Sequence, residues 1–197
     1  VPEPIGRRGA FIGGLWNAAE VVLPLALTAL LSVVLARVLG ADDLGIQSLI
    51  AYSESILFGI LVGSLAGAAL QTLSAAVGQG DATLARSLTA WQMRLQVLNA
   101  LVSVAVLGAV GVLSDYSLSW WLAAATTAAN SIGWAYAARI ISAEGSWASV
   151  SIRRLVLQVV SQVLGMGAVL LGAGIAGVFA ANFLSASVLT VLLYRRS

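Results

Sequence analysis

The sequence predicts an all-α integral membrane protein, a bundle of six transmembrane helices with both termini on the cytoplasmic side. Its 197 residues are 60% hydrophobic and only 9% charged, with a mean hydropathy of +0.98. A soluble domain carries about a quarter charged residues. A chain so poor in charge has too little polar surface to face water on all sides and needs a bilayer as its solvent. The apolar residues fall into long runs separated by short polar breaks, and the arginines segregate to alternate breaks.

Crossing about 30 Å of hydrocarbon takes about 20 apolar residues in a helix. The candidate spans cover 15–39, 46–70, 91–113, 118–141, 152–171 and 175–194. Gly40-Ala41-Asp42-Asp43 offers a helix C-cap followed by N-caps, and Gly78-Gln79-Gly80-Asp81 repeats the pattern. Ser114-Asp115 and Gly172-Ala173-Gly174 are short turns. No Pro/Ser-rich linker or soluble domain intervenes, so residues 1–197 read as a single six-helix membrane lobe. The chain begins at Val1 and stops at Tyr194-Arg195-Arg196-Ser197, directly after the last run, so both ends read as cut or processed.

Orientation follows from the arginines. With the N-terminus inside, Arg7, Arg8, Arg86, Arg94, Arg139, Arg153, Arg154, Arg195 and Arg196 fall on the cytoplasmic side and Arg37 alone falls outside, a strong positive-inside bias. Trp16, Trp91, Trp147 and Tyr194 then lie near the inner interface, and Tyr116, Trp120 and Trp121 near the outer one, as aromatic belts do.

Several function classes drop out. The chain has neither Cys nor His, which removes thiol nucleophiles, zinc sites and imidazole acid–base chemistry. There is no nucleophile elbow, Walker loop, metal-ligand spacing or carboxylate pair in a soluble loop. The sequence therefore predicts neither an enzyme nor a cofactor or metal. A net charge of +2, without basic–aromatic clusters, does not predict a nucleic-acid partner. The predicted partner is the lipid bilayer itself.

The informative residues are the polar ones inside the spans. Glu54 lies about eight residues, roughly 12 Å, inside the outer end of the second span. A carboxylate facing lipid there costs a few kcal/mol, so it is expected to face a bundle interior or a wet cavity. Gly59, Gly63 and Gly67 share another face of that span at GxxxG spacing, which lets helices approach closely. In the first span Asn17, Glu20, Pro24 and Thr28 lie roughly on one face, and Glu20 either lines a cavity or snorkels toward Arg7 and Arg8. Gln92, Gln96, Asn99 and Ser103 form one polar stripe on the third span. Asn130 on the fourth span, and Gln158 and Gln162 on the fifth, continue the pattern. Such stripes serve either as interhelical hydrogen-bond glue or as the lining of a hydrated path.

One segment resembles a known family. Leu35-Ala36-Arg37-Val38-Leu39-Gly40-Ala41-Asp42-Asp43-Leu44-Gly45 resembles the ARxLG hairpin between the first two helices of Wzx-type polysaccharide flippases, members of the multidrug/oligosaccharidyl-lipid/polysaccharide (MOP) exporter superfamily. The matching positions are Ala36, Arg37, Leu39, Gly40 and Gly45; Ala41 stands where Pro is common and Leu44 where an aromatic is common. Ala68-Ala69-Leu70-Gln71 with Gly80-Asp81 looks like that family's first cytoplasmic loop, and the stretch from Glu144-Gly145 to Gly174-Ile175-Ala176-Gly177 resembles its fifth and sixth helices.

The resemblance implies a two-lobe transporter of the bacterial inner membrane. It implies alternating access, driven by an ion gradient or membrane potential, that flips undecaprenyl-pyrophosphate-linked oligosaccharide during polysaccharide biosynthesis. This chain matches the first lobe only, so a second six-helix lobe is an expected partner. The resemblance places Glu54, Glu20 and Asn17 on the cargo or ion path. It also implies cavity arginines for the pyrophosphate, and the sequence places none at mid-depth. The alternatives are the lobe of a MATE-like drug/cation antiporter, or a small membrane scaffold subunit using its GxxxG face.

Overall fold

A computed structural model describes residues 7–144 and 147–196, with side chains described there except at 7–17, 20–21, 63–67, 143–144 and 147–148. Every regular element among them is helical. In chain order they are α1 (Arg7–Val38), α2 (Gly40–Phe58), a π-helical stretch (Gly59–Gly63), α3 (Ser64–Gly78), α4 (Ala82–Val112), α5 (Ser117–Glu144), α6 (Trp147–Leu170) and α7 (Gly174–Arg196). The α2, π-helical and α3 segments follow one another directly and together replace the single helix expected over 46–70.

The breaks fall where the turn residues predict them. Gly40 and Gly80 take φ of +83° and +73°, a region costly for residues with a Cβ. Asp81 caps α4, accepting a 2.9 Å hydrogen bond from the Leu84 N–H. The first hairpin departs from expectation. No side chain caps α2, which starts at Gly40 itself, so Asp42 and Asp43 sit in its first turn instead of acting as N-caps. Asp43 there accepts a 2.7 Å hydrogen bond from the Tyr116 hydroxyl just ahead of α5. That bond pushes the Tyr116 phenol above its usual range, with desolvation and the charges of Asp43, Asp42 and Asp115 acting in the same direction.

By length and composition, four helical stretches among the described residues can cross a membrane: Gly40–Val62, Ala82–Val112, Ser149–Leu170 and Gly174–Tyr194. Val22–Val38 and Ala68–Gly78 are shorter apolar helices. Large apolar side chains such as Leu101, Val163 and Leu184 point outward, as they do in a protein whose surroundings are lipid. Helix α5 is not among the four. It packs along α4 and α7 and also meets α2, α3 and α6, so neighbouring helices rather than lipid surround much of it and its polar residues are accommodated there.

Small residues set the close approaches. A Cβ at Gly133 on α5 would lie 2.8 Å from Thr190 Oγ1 on α7, and one at Gly108 on α4 would lie 2.7 Å from the Trp121 ring. Two apolar cores fill the ends of the bundle. Ile50, Leu107, Trp120, Ile175 and Phe179 form one, extended by Leu31, Leu35, Val169 and Val178. Leu70, Ile140, Ile141, Val150 and Leu193 form the other. Trp120 is thus a core residue, not part of an interfacial belt. The polar residues Thr126 and Asn130 of α5, Gln158, Ser161 and Gln162 of α6, and Asn182 and Ser185 of α7 lie between these two cores along their helices.

Candidate functional site

A cavity of about 390 Å³ occupies that middle zone. Helical periodicity builds each wall. On α2 the lining residues are Gln47, Ala51, Glu54, Ser55 and Phe58, one face at spacings of three and four. On α6 they are Arg154, Leu157, Gln158, Ser161 and Gln162, and on α7 Val178, Asn182, Ser185, Ala186 and Leu189, again single faces. Thr126 and Asn130 of α5 and Thr28 and Leu31 of α1 close the remaining sides. The volume lies in the range of small-molecule sites, and no other described cavity of this chain gathers as many polar side chains.

The walls are held by interhelical bonds. The Ser161 hydroxyl donates to Asn182 Oδ1, joining α6 to α7. The Ser185 hydroxyl donates to the Leu157 carbonyl at 2.7 Å. The Thr190 hydroxyl lies 2.9 Å from the carbonyl oxygens of both Ala129 and Ala186, bridging α7 to α5. Gln162 Oε1 is buried without a partner, an acceptor that a polar guest or water would satisfy and that otherwise costs about 1–3 kcal/mol.

Two ionisable side chains line this cavity, the carboxyl group of Glu54 on α2 and the guanidinium of Arg154 on α6. Arg154 lies seven residues, about 10 Å, beyond the start of α6. Its guanidinium carbon stands 5.0 Å from the centre of the Trp134 ring on α5, within cation–π range. Arg154 therefore turns toward the bundle interior. The sequence expects no arginine at mid-depth; Arg154 reaches the cavity from near the start of α6. The signal was present in the spacing of Arg154, Gln158, Ser161 and Gln162, which places all four on one helical face. Arg153, one position and about 100° away, lies off that face.

The predicted polar residues divide. Glu54, Asn130, Gln158 and Gln162 come together at the cavity. Gln92, Gln96 and Asn99 do not line it; with Ser103 they are buried along α4. Asn99 Nδ2 donates at 2.7 Å to the Leu61 carbonyl in the π-helical stretch and approaches Gln96 Oε1 at 3.4 Å. A π-helical turn shifts the i→i−4 ladder, and a side-chain donor from the neighbouring helix satisfies a carbonyl there. The α4 stripe is helix–helix glue at this point, although Gln92 Nε2 and Gln96 Nε2 have no partner.

Gly59, first of the three glycines, is exposed, and a Cβ built on it meets nothing within 4 Å. The surroundings of Gly63 and Gly67, and the side chains of Asn17, Glu20, Trp16 and Trp147, lie outside the described residues. In the hairpin that carries the family resemblance, Ala36 and Arg37 end α1 exposed, Leu39 packs against two apolar clusters, and Gly40 and Gly45 belong to α2. No protein-family model, curated protein or solved structure matches the chain.

Proposed function

We propose that this chain is one lobe of a transporter that flips lipid-linked oligosaccharide across the bacterial inner membrane. It has six spans and cytoplasmic termini, works by alternating access coupled to an ion gradient, and pairs with a second lobe. The observation that carries this reading is the polar cavity holding both Glu54 and Arg154. Ionisable residues inside membrane bundles mark cargo or ion paths. Amides and hydroxyls on α5, α6 and α7 match sugar hydroxyls, and a guanidinium matches a diphosphate. Glu54 is the residue placed to carry a proton or attract a cation. The cavity in this lobe holds only part of such a cargo, which is why a facing lobe belongs to the proposal.

A MATE-like antiporter lobe is the second reading, because an acid in the cavity also suits a cationic drug. Arg154 weighs against it by repelling such cargo.

Deletion of the gene in its native host separates the two. For a flippase, lipid-linked oligosaccharide accumulates on the cytoplasmic face, surface polysaccharide falls, and Glu54→Gln fails to restore it at normal membrane abundance. Unchanged polysaccharide with raised sensitivity to cationic drugs would favour the antiporter. Reporter fusions test the layout: near Gly80 and Gly145 they should report from the cytoplasm, and near Asp42, Ser114 and Ala173 from outside. A periplasmic signal at Gly80 would overturn the orientation.

A further inference from the structure

A second, larger hollow has different chemistry. A groove of about 630 Å³ runs between the end of α3, the start of α4 and the end of α5. Its floor is apolar, with Leu73, Val77 and Met93, and two guanidinium groups line it, Arg86 from α4 and Arg139 from α5. Both arginines are exposed. Among the described residues neither has a hydrogen-bond or ion-pair partner. The acid that lines the groove, Asp81, directs a carboxylate oxygen to the Leu84 N–H as the cap of α4. The groove thus brings unpaired positive charge and a hydrophobic surface together in one lining.

Its level in the membrane follows from length. Helix α4 has 31 residues, about 46 Å at 1.5 Å per residue, against about 30 Å of hydrocarbon. About 16 Å of an upright helix, some three turns, is left for the headgroup regions of the two membrane faces together. The groove flanks the first turns of α4, at the same end of the bundle as Arg195 and Arg196. A soluble anion has no use for the apolar floor, and an uncharged lipid has none for the arginines.

We propose that this groove binds an anionic phospholipid of the bilayer, with its phosphate between Arg86 and Arg139 and an acyl chain along Leu73, Val77 and Met93. The site is separate from the polar cavity and rests only on residence in a membrane, not on the flippase reading. Basic pockets between helices at the headgroup level hold lipid phosphates in this way.

The test uses the full chain in detergent, titrated with phosphatidylglycerol or phosphatidylcholine and followed by native mass spectrometry and thermal unfolding. Phosphatidylglycerol is expected to remain bound as a single copy and to raise the unfolding midpoint, whereas phosphatidylcholine does neither. Arg86→Gln/Arg139→Gln should weaken phosphatidylglycerol binding about thirtyfold, the surface attraction of two charges. The charge-matched control Arg94→Gln/Arg195→Gln should bind as the parent does. Met93→Trp, which fills the groove and keeps both arginines, should also lose the lipid. Equal retention of the two lipids by the unaltered protein would overturn the proposal, and that comparison does not depend on any variant folding. Displacement of the lipid by millimolar inorganic phosphate, the mark of a site for soluble anions, would overturn it as well.

Discussion

Glu54 of α2 and Arg154 of α6 line one polar cavity from different helices, a carboxyl group and a guanidinium between the apolar ends of the bundle. An ionised group inside a membrane bundle is unfavourable unless it is hydrated or paired, and a shared cavity is where two such groups can sense each other. We therefore predict that they are coupled. Glu54→Gln and Arg154→Gln should each lower stability in detergent, and the double variant should be more stable than the sum of the two by about 1 kcal/mol. Strict additivity in thermal unfolding would show that the groups do not sense each other across the cavity.

The π-helical stretch makes a different demand. Asn99 supplies a 2.7 Å donor to the Leu61 carbonyl. Asn99→Leu should destabilise the protein by about 1 kcal/mol and leave transport per folded molecule unchanged, because Asn99 does not line the cavity. A variant of full stability with impaired transport would move the α4 stripe from glue to cargo path.

Gly133 is a contact of close approach. A methyl group there would lie 2.8 Å from Thr190 Oγ1, so Gly133→Ala should cost about 1–3 kcal/mol through overpacking between α5 and α7. Thr190→Ala in the same chain should recover part of that loss, despite removing the hydroxyl bond to Ala129. If Gly133→Ala unfolds at the parent temperature, the helices are looser than the structure describes.

At the turn end of the bundle, the Tyr116 phenol is held above its usual range, first by its bond to Asp43. A raised folded-state pKa contributes stability that is fully present below the unfolded tyrosine value of about 10 and is lost as pH rises through the folded value. Asp43→Asn should lower the Tyr116 titration toward the ordinary range, read as the tyrosinate absorbance that Tyr116→Phe removes. An unchanged titration midpoint would mean that the bond does not persist in solution.

Much of this architecture is legible in the sequence, for physical reasons that differ by element. Gly40, Gly80 and Asp81 announce the breaks because positive φ and N-capping select few residue types. Glu54, Asn130, Gln158 and Gln162 announce the cavity because polar groups inside a membrane bundle need a solvated or paired environment. The stripe from Gln92 to Ser103 has the same spacing yet packs against its neighbours, and spacing alone does not distinguish glue from lining. Arg153 masks Arg154 in the sequence: an adjacent pair near a helix start resembles an interfacial charge cluster, although about 100° separates the two positions around the helix. The π-helical stretch has no distinctive pattern of its own, since GxxxG also fits a regular helix. It depends on Asn99, 38 positions further along the chain, for a tertiary partner.

Water in the cavity is the point on which the transport reading turns, and the absence of native Cys makes it directly measurable. Single cysteines are placed at Gln158 and Asn182, which line the cavity, and at Leu164 and Leu184, which point outward. Each variant is treated in membranes with a charged, membrane-impermeant methanethiosulfonate reagent, which needs an ionised and hydrated thiol. Open vesicles give the reagent access to both membrane faces. Reaction at Gln158→Cys and Asn182→Cys, with Leu164→Cys and Leu184→Cys protected by lipid, is the predicted result. Protection of the two cavity positions to the same degree as the two outward leucines would contradict a hydrated path through this lobe.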